Sequence, residues 1–236
     1  MKKQTMALTT AGMLALGMSA GASANVIDAD AMSNYFGESF ADLGFATVSI
    51  NPEGPTFAYK EERDGIDGFG TDTNPKGEIS GGETIRINFN ESSVIGSLSL
   101  AFLWPEGVAN DDINESANLR WGSNSEDDIS PLGAEGNLAT LTALGGSDYE
   151  WTGENGTVTQ ISGSTSLGSQ ASAWQISNPF GNEAIDWLEF EAPDDMAGSD
   201  GSDFAISSVA VPNPAALGLL GLGLLGVAAA RRFGTK

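Results

Sequence analysis

The side chains able to do chemistry in this 236-residue chain are almost all carboxylates, because it contains no cysteine and no histidine. That absence removes thiolate nucleophiles, disulfides, imidazole ligands for zinc and the Ser-His-Asp triad. Oxygen-ligated cations and carboxylate acid–base chemistry remain open. The densest oxygen cluster is Asp64-Gly65-Ile66-Asp67-Gly68-Phe69-Gly70-Thr71-Asp72-Thr73-Asn74. Calcium takes six to eight oxygens from carboxylates, amides and carbonyls, so Asp64, Asp67, Asp72 and Asn74 are candidate Ca²⁺ ligands. The spacing matches neither an EF-hand loop nor a nonapeptide calcium repeat. Asp, Asn and Gly are also what turns use, so the segment reads first as a turn-rich solvated loop and second as a calcium site. A second acidic group, Asp111, Asp112, Glu115 and Glu126-Asp127-Asp128, reads as a pair of exposed loops. Glycoside hydrolysis needs only two carboxylates at a defined separation; the abundance of acids makes any one pair uninformative, and Glu78→Gln with Glu83→Gln is the test. No catalytic motif ties any two acids together, so the expectation is a protein that is not an enzyme, with a carboxylate hydrolase as the third-ranked reading.

Five tryptophans, Trp104, Trp121, Trp151, Trp174 and Trp187, could stack on sugar rings or pack a core. Trp151, between Glu150 and Thr152 and beside glycine-rich segments, is the candidate for an exposed ligand-binding ring. Charge narrows the partners further. All 32 acidic residues lie between Asp28 and Asp203, opposed there only by Lys60, Arg63, Lys76, Arg86 and Arg120, so this stretch carries −27 against −22 for the whole chain. Such a field repels nucleic acid and attracts cations. No nucleic-acid partner is expected.

Short strands must position these groups. Thr84-Ile85-Arg86-Ile87-Asn88-Phe89-Asn90 alternates apolar and polar residues, and Ser97 to Phe102 does the same with Leu98, Leu100 and Phe102. Further strands are expected at Phe45–Ile50, Thr56–Lys60, Asn118–Trp121, Thr157–Ser162, Ala173–Ile176, Ile185–Glu191 and Phe204–Val211. Residues 28–40 read as a short helix, and Glu135–Leu144 as a weak one. Clusters of Gly, Ser, Asn and Asp separate these elements. The pattern predicts an all-β, jelly-roll-like β-sandwich spanning residues 25–210.

The two ends differ from the middle. Residues 1–24 carry Lys2 and Lys3, an apolar run from Met6 to Met18, and Ala22-Ser23-Ala24, the pattern of a signal peptide cut by signal peptidase before Asn25. Residues 211–236 hold Val211-Pro212-Asn213-Pro214, an apolar run over 215–230, then Arg231 and Arg232. As a helix that run spans about 24 Å, slightly short of a bilayer core. The arginines stop it and face the cytoplasm under the positive-inside rule, which leaves the body on the far side of the inner membrane. Gly221-Leu222-Gly223-Leu224-Leu225-Gly226 matches a dinucleotide fingerprint, but no strand precedes it and no acid follows it.

A Pro-x-Pro element, a short Gly/Leu/Ala helix and an arginine cluster, in that order, resemble the PEP-CTERM sorting signal of Gram-negative bacteria. Asn213 stands where that family usually has Glu. The resemblance implies processing by an exosortase, transient anchoring in the inner membrane, and a cell-surface or extracellular destination. The middle also resembles ectodomains carried by such proteins. It has Glu78-Ile79-Ser80-Gly81-Gly82-Glu83 leading into an alternating strand, then Trp187-Leu188-Glu189-Phe190 and Ser202-Asp203-Phe204-Ala205-Ile206 before the tail. The family resemblance implies association with exopolysaccharide or biofilm. A calcium-dependent carbohydrate-binding module is the alternative.

Overall fold

The alternation of Ile85, Ile87 and Phe89 with Arg86, Asn88 and Asn90 gives one apolar and one polar edge to an extended segment, and a sheet is the way to bury that edge. A computed structural model describes residues 24–63, 65–74, 76–107, 113–123, 136–145, 148–162, 172–193 and 201–212. Within them, Asn25–Val211 forms one compact unit. Its strands are β1 (Asn25–Asp28), β2 (Phe40–Asp42), β3 (Ala46–Asn51), β4 (Phe57–Arg63), β5 (Ile66–Thr71), β6 (Thr84–Val94) and β7 (Ser97–Ala101), followed by β8 (Ser116–Gly122), β9 (Asn137–Gly145), β10 (Asp148–Trp151), β11 (Thr157–Ser162), β12 (Ala173–Ser177), β13 (Ala184–Glu191) and β14 (Ala205–Val211). A one-turn helix α1 (Ala29–Met32), whose first turn Asp28 caps by accepting from the Ala31 N–H at 2.9 Å, and a 3₁₀ turn (Ser33–Tyr35) occupy the first part of the 28–40 stretch expected to be helical, which ends instead at the start of β2.

All strand pairs are antiparallel, and they form two sheets. Sheet I runs β11-β12-β7-β14-β5-β4, with β1 on β14; sheet II runs β10-β9-β8-β13-β6-β3-β2. Leu98, Leu100, Phe69 and Ile206 of sheet I join Ile87, Phe89, Leu188 and Phe190 of sheet II in a single buried cluster. The two inner faces therefore share one core. The chain alternates between them: β5, β7, β12 and β14 lie in sheet I in the order 5-14-7-12, while β6, β8, β9 and β13 lie in sheet II in the order 6-13-8-9.

Three local expectations give way to the structure. Asn137–Gly145, which overlaps nearly all of the Glu135–Leu144 stretch read as a weak helix, is strand β9, where Ala139, Leu141 and Ala143 enter the core and Leu138 is exposed. Its Leu, Ala and Thr content suits either state, and the period-two burial against β8 decides it. Ile66–Thr71, inside the segment read as a loop, is strand β5. Its Phe69 is in the core. Gly68 and Gly70 are strand glycines, not turn glycines, and they allow close backbone approach. A Cβ on Gly70 would lie 2.6 Å from the Gly77 carbonyl oxygen, and one on Gly68 would lie 2.8 Å from that of Ile206. Glu115, grouped with the exposed acids, is 1% exposed, and its Oε2 accepts the Trp104 N–H at 2.6 Å. Asp111, Asp112 and Glu126–Asp128 lie outside the described residues.

Candidate functional site

The Glu78–Glu83 segment leaves β5 and crosses back over it. Thr71 N–H donates to the Glu78 carbonyl at 3.1 Å, and Ile79 exchanges two backbone hydrogen bonds with Phe204 at 2.7 and 3.2 Å. The Glu78 carboxylate meets Lys60 Nζ at 2.6 Å, with the two side chains 4% and 16% exposed. Lys60 Nζ also lies 5.0 Å from the Phe102 ring centroid. Glu83 Oε2 accepts from Thr71 Oγ1 at 2.8 Å and from the Ser80 N–H at 3.0 Å. Both carboxylates thus hold the segment against the sheet. The other two stretches of the ectodomain resemblance also sit at packing positions: Leu188 and Phe190 are buried in the core, as are Phe204 and Ile206, and Ser202 Oγ accepts the Ser116 N–H at 3.0 Å.

Of the candidate calcium ligands, Asp67 and Asp72 stand at opposite ends of β5. Asp67 lies near the start of β5, its Oδ2 accepting from the Tyr59 hydroxyl at 3.3 Å. Asp72 follows the other end, its Oδ1 accepting the Thr56 N–H at 2.7 Å. That bond holds its carboxyl below the ordinary aspartate value. Five residues of extended chain separate them, about 16 Å. Asn74 is exposed, and Asp64 lies outside the described residues. Among the described residues no group of three or more acidic side chains could hold a metal ion.

Trp104, Trp121, Trp174 and Trp187 are each 8% exposed or less. Trp151 is half-buried against the core, and its Nε1 donates to the Asn155 carbonyl at 2.7 Å. Its ring is so close to Gly153 that a Cβ there would lie 2.3 Å from it.

Sequence reasoning missed the outer face of sheet II. Register places Glu189 of β13 directly between Arg86 of β6 and Arg120 of β8. Ser49 of β3 and Leu138 of β9 extend the row. Arg86 Nε donates to Asn88 Oδ1 at 3.1 Å, and its Nη1 lies 3.9 Å from Glu189 Oε2. Its guanidinium carbon sits 4.3 Å from the Trp187 ring centroid, a cation–π contact. Arg120 Nε donates to Glu191 Oε2 at 3.3 Å. Burial pushes the Glu189 carboxyl above the ordinary glutamate value, against the lowering effect of Arg86. Period-two alternation in Trp187-Leu188-Glu189-Phe190-Glu191 was the available signal, but the partners come from strands far away in sequence.

The last site is the exit from the body. Strand β14 ends at Val211, whose partner across the ladder is Asn25. Pro212 has no N–H to continue the ladder. Asn213, Pro214, the apolar run and Arg231 and Arg232 lie outside the described residues, as does the stretch up to residue 23 read as a signal peptide. Among the described residues no helix is long and apolar enough to cross a membrane. No curated protein and no solved structure matches the chain. A family model does match its C-terminus: residues 210–232 carry the PEP-CTERM protein-sorting motif, the C-terminal sorting signal of exosortase substrates, which makes this an exported protein.

Proposed function

We propose that the chain is a non-enzymatic jelly-roll protein of the cell surface or extracellular matrix, processed at both ends and associated with exopolysaccharide. In this reading signal peptidase removes residues 1–24. The 215–230 helix then holds the body at the inner membrane, with Arg231 and Arg232 in the cytoplasm, until the exosortase acts on the tail.

One observation carries it: the sorting motif begins at residue 210, inside strand β14, and the strand paired with that end begins at Asn25. Both processing junctions flank a single strand pair, and the compact unit Asn25–Val211 lies between them. The strand orders 5-14-7-12 and 6-13-8-9 support the jelly-roll reading, since they interleave two Greek keys across two sheets. The engagement of Glu78 with Lys60, and of Glu83 with Thr71 and Ser80, supports a body in which these carboxylates serve the fold.

The test is fractionation of producing cells that express either the whole chain or a chain ending at Pro212. The whole chain should co-fractionate with extracellular polysaccharide, and the truncated chain should remain in the periplasmic fraction. Equal distribution of the two would overturn the proposal.

A further inference from the structure

The outer faces of the two sheets differ in kind. On sheet I several outward positions are small, Gly68, Gly70, Ala101, Ala173 and Ala205, and the Gly77–Glu78 backbone lies over Gly70. On sheet II they are long or polar. Two of the five cations between Asp28 and Asp203 stand there in one row with Glu189, next to Glu191 and Asn118 of the neighbouring row.

These side chains are partly withdrawn from water without being fully paired. The side chains of Arg86, Glu189, Arg120 and Glu191 are only 17–27% exposed. The Glu189 carboxylate accepts no hydrogen bond among the described residues, its nearest cationic nitrogen being 3.9 Å away. Each guanidinium spends its Nε on a neighbour, Asn88 for Arg86 and Glu191 for Arg120, and the terminal nitrogens make no hydrogen bond among the described residues. Guanidinium has five N–H donors and carboxylate about four lone-pair sites. The row therefore holds alternating unused donors and acceptors in fixed register, on part-buried side chains whose polar ends still reach solvent. Their side chains are already held in place by Asn88, Trp187 and Glu191, so a ligand with donors and acceptors at similar spacing would meet a preorganised row and displace only the water at its polar ends.

Resting on the reading above, we propose that the Arg86–Glu189–Arg120 row on the outer face of sheet II is the polysaccharide-binding site, and that it takes a neutral polyhydroxylated chain. A hydroxyl both donates to carboxylate and accepts from guanidinium, so adjacent hydroxyls of one sugar match adjacent members of the row. Neutrality follows from charge: the arginines are balanced by Glu189 and Glu191, and the body around them at −27 repels a polyanion. The row crosses β3, β6, β13, β8 and β9, about 19 Å at sheet spacing, long enough for several sugar units.

The experiment is affinity electrophoresis of the mature protein. The probes are the neutral and acidic fractions of the producing cells' extracellular polysaccharide, separated by anion exchange. The neutral fraction should retard the protein. Glu189→Gln and Arg120→Ala should each weaken retardation about tenfold or more, the loss of a charged hydrogen bond. Thr159→Ala, on β11 of sheet I, should leave it unchanged. Glu189→Gln preserves shape and removes a half-buried charge, so it decides the matter even if Arg120→Ala fails to fold. Retardation equal in wild type and Glu189→Gln overturns the site while leaving polysaccharide association standing. Retardation by the acidic fraction alone overturns the site's selectivity. No retardation by either fraction overturns the site and the association together. New reducing ends in the neutral fraction would replace binding with hydrolysis.

Discussion

Replacing Lys60 with methionine leaves the Glu78 carboxylate, 4% exposed, without its cation. Removing one partner of a buried pair costs about 3–5 kcal/mol, because the remaining charge stays desolvated. Lys60 is itself 16% exposed, so water reaches the gap and the lower end, about 3 kcal/mol, is expected. In a body of this size that lowers the unfolding midpoint by roughly 6–12 °C. Glu78→Met should cost less, about 1 kcal/mol, since the freed ammonium can reach solvent while keeping the Phe102 ring beneath it. The double variant Lys60→Met/Glu78→Met puts two apolar side chains of similar volume in place of the pair and should recover most of the loss. A coupling energy of about 2 kcal/mol or more is predicted from the double-mutant cycle. Urea unfolding of the mature protein, followed by fluorescence of its largely buried tryptophans, measures all four states. A Lys60→Met cost below about 0.5 kcal/mol, or additive single costs, would refute the reasoning that Glu78 is a clasp and not a working carboxylate.

Gly70→Ala should cost about 1–3 kcal/mol, because the added Cβ meets the backbone of Gly77 and Glu78 at 2.6–2.7 Å. Gly201→Ala, with nothing within 4 Å, should stay within about 0.5 kcal/mol; urea midpoints separate the two. Because burial raises the Glu189 carboxyl, the folded protein binds that proton more tightly than the unfolded chain does. Its contribution to stability therefore grows as pH falls from neutral through the raised value and levels off below the ordinary glutamate value. Glu189→Gln should be neutral or stabilising at pH 7 and should gain less on acidification, checked by urea unfolding at neutral pH and at about pH 5. The separation of Asp67 from Asp72 predicts equal thermal midpoints in EDTA and in millimolar calcium. A higher midpoint in calcium would restore the Asp64–Asn74 segment as a cation site.

Strict alternation made the central strands legible: Ile85, Ile87 and Phe89, or Leu98 and Leu100, can bury one edge in only one way. β9 was obscured because Leu, Ala and Thr fit a helix or a strand, and only pairing with β8 fixes which. Strand β5 was hidden by its own solution to packing. Gly68 and Gly70 look like turn residues until a backbone segment is seen lying against them. The motif stretches Glu78–Glu83, Trp187–Phe190 and Ser202–Ile206 were visible as a resemblance, but their meaning was not. Their side chains find partners at Lys60, Arg86 and Ser116, between eighteen and 103 residues away. The Arg86–Glu189–Arg120 row shows the same limit, since it exists only once the registers of β6, β13 and β8 are set. The sorting tail was the most legible feature because its signal is a local order of residue types and needs no fold.

The central claim, that the body between Asn25 and Val211 is released from segments at both ends, is tested most directly by intact-mass analysis of the protein recovered outside the cells. The account predicts one species beginning at Asn25 and lacking the apolar run and Arg231–Arg232. A membrane-fraction species retaining the tail through Lys236, with none released, would contradict it.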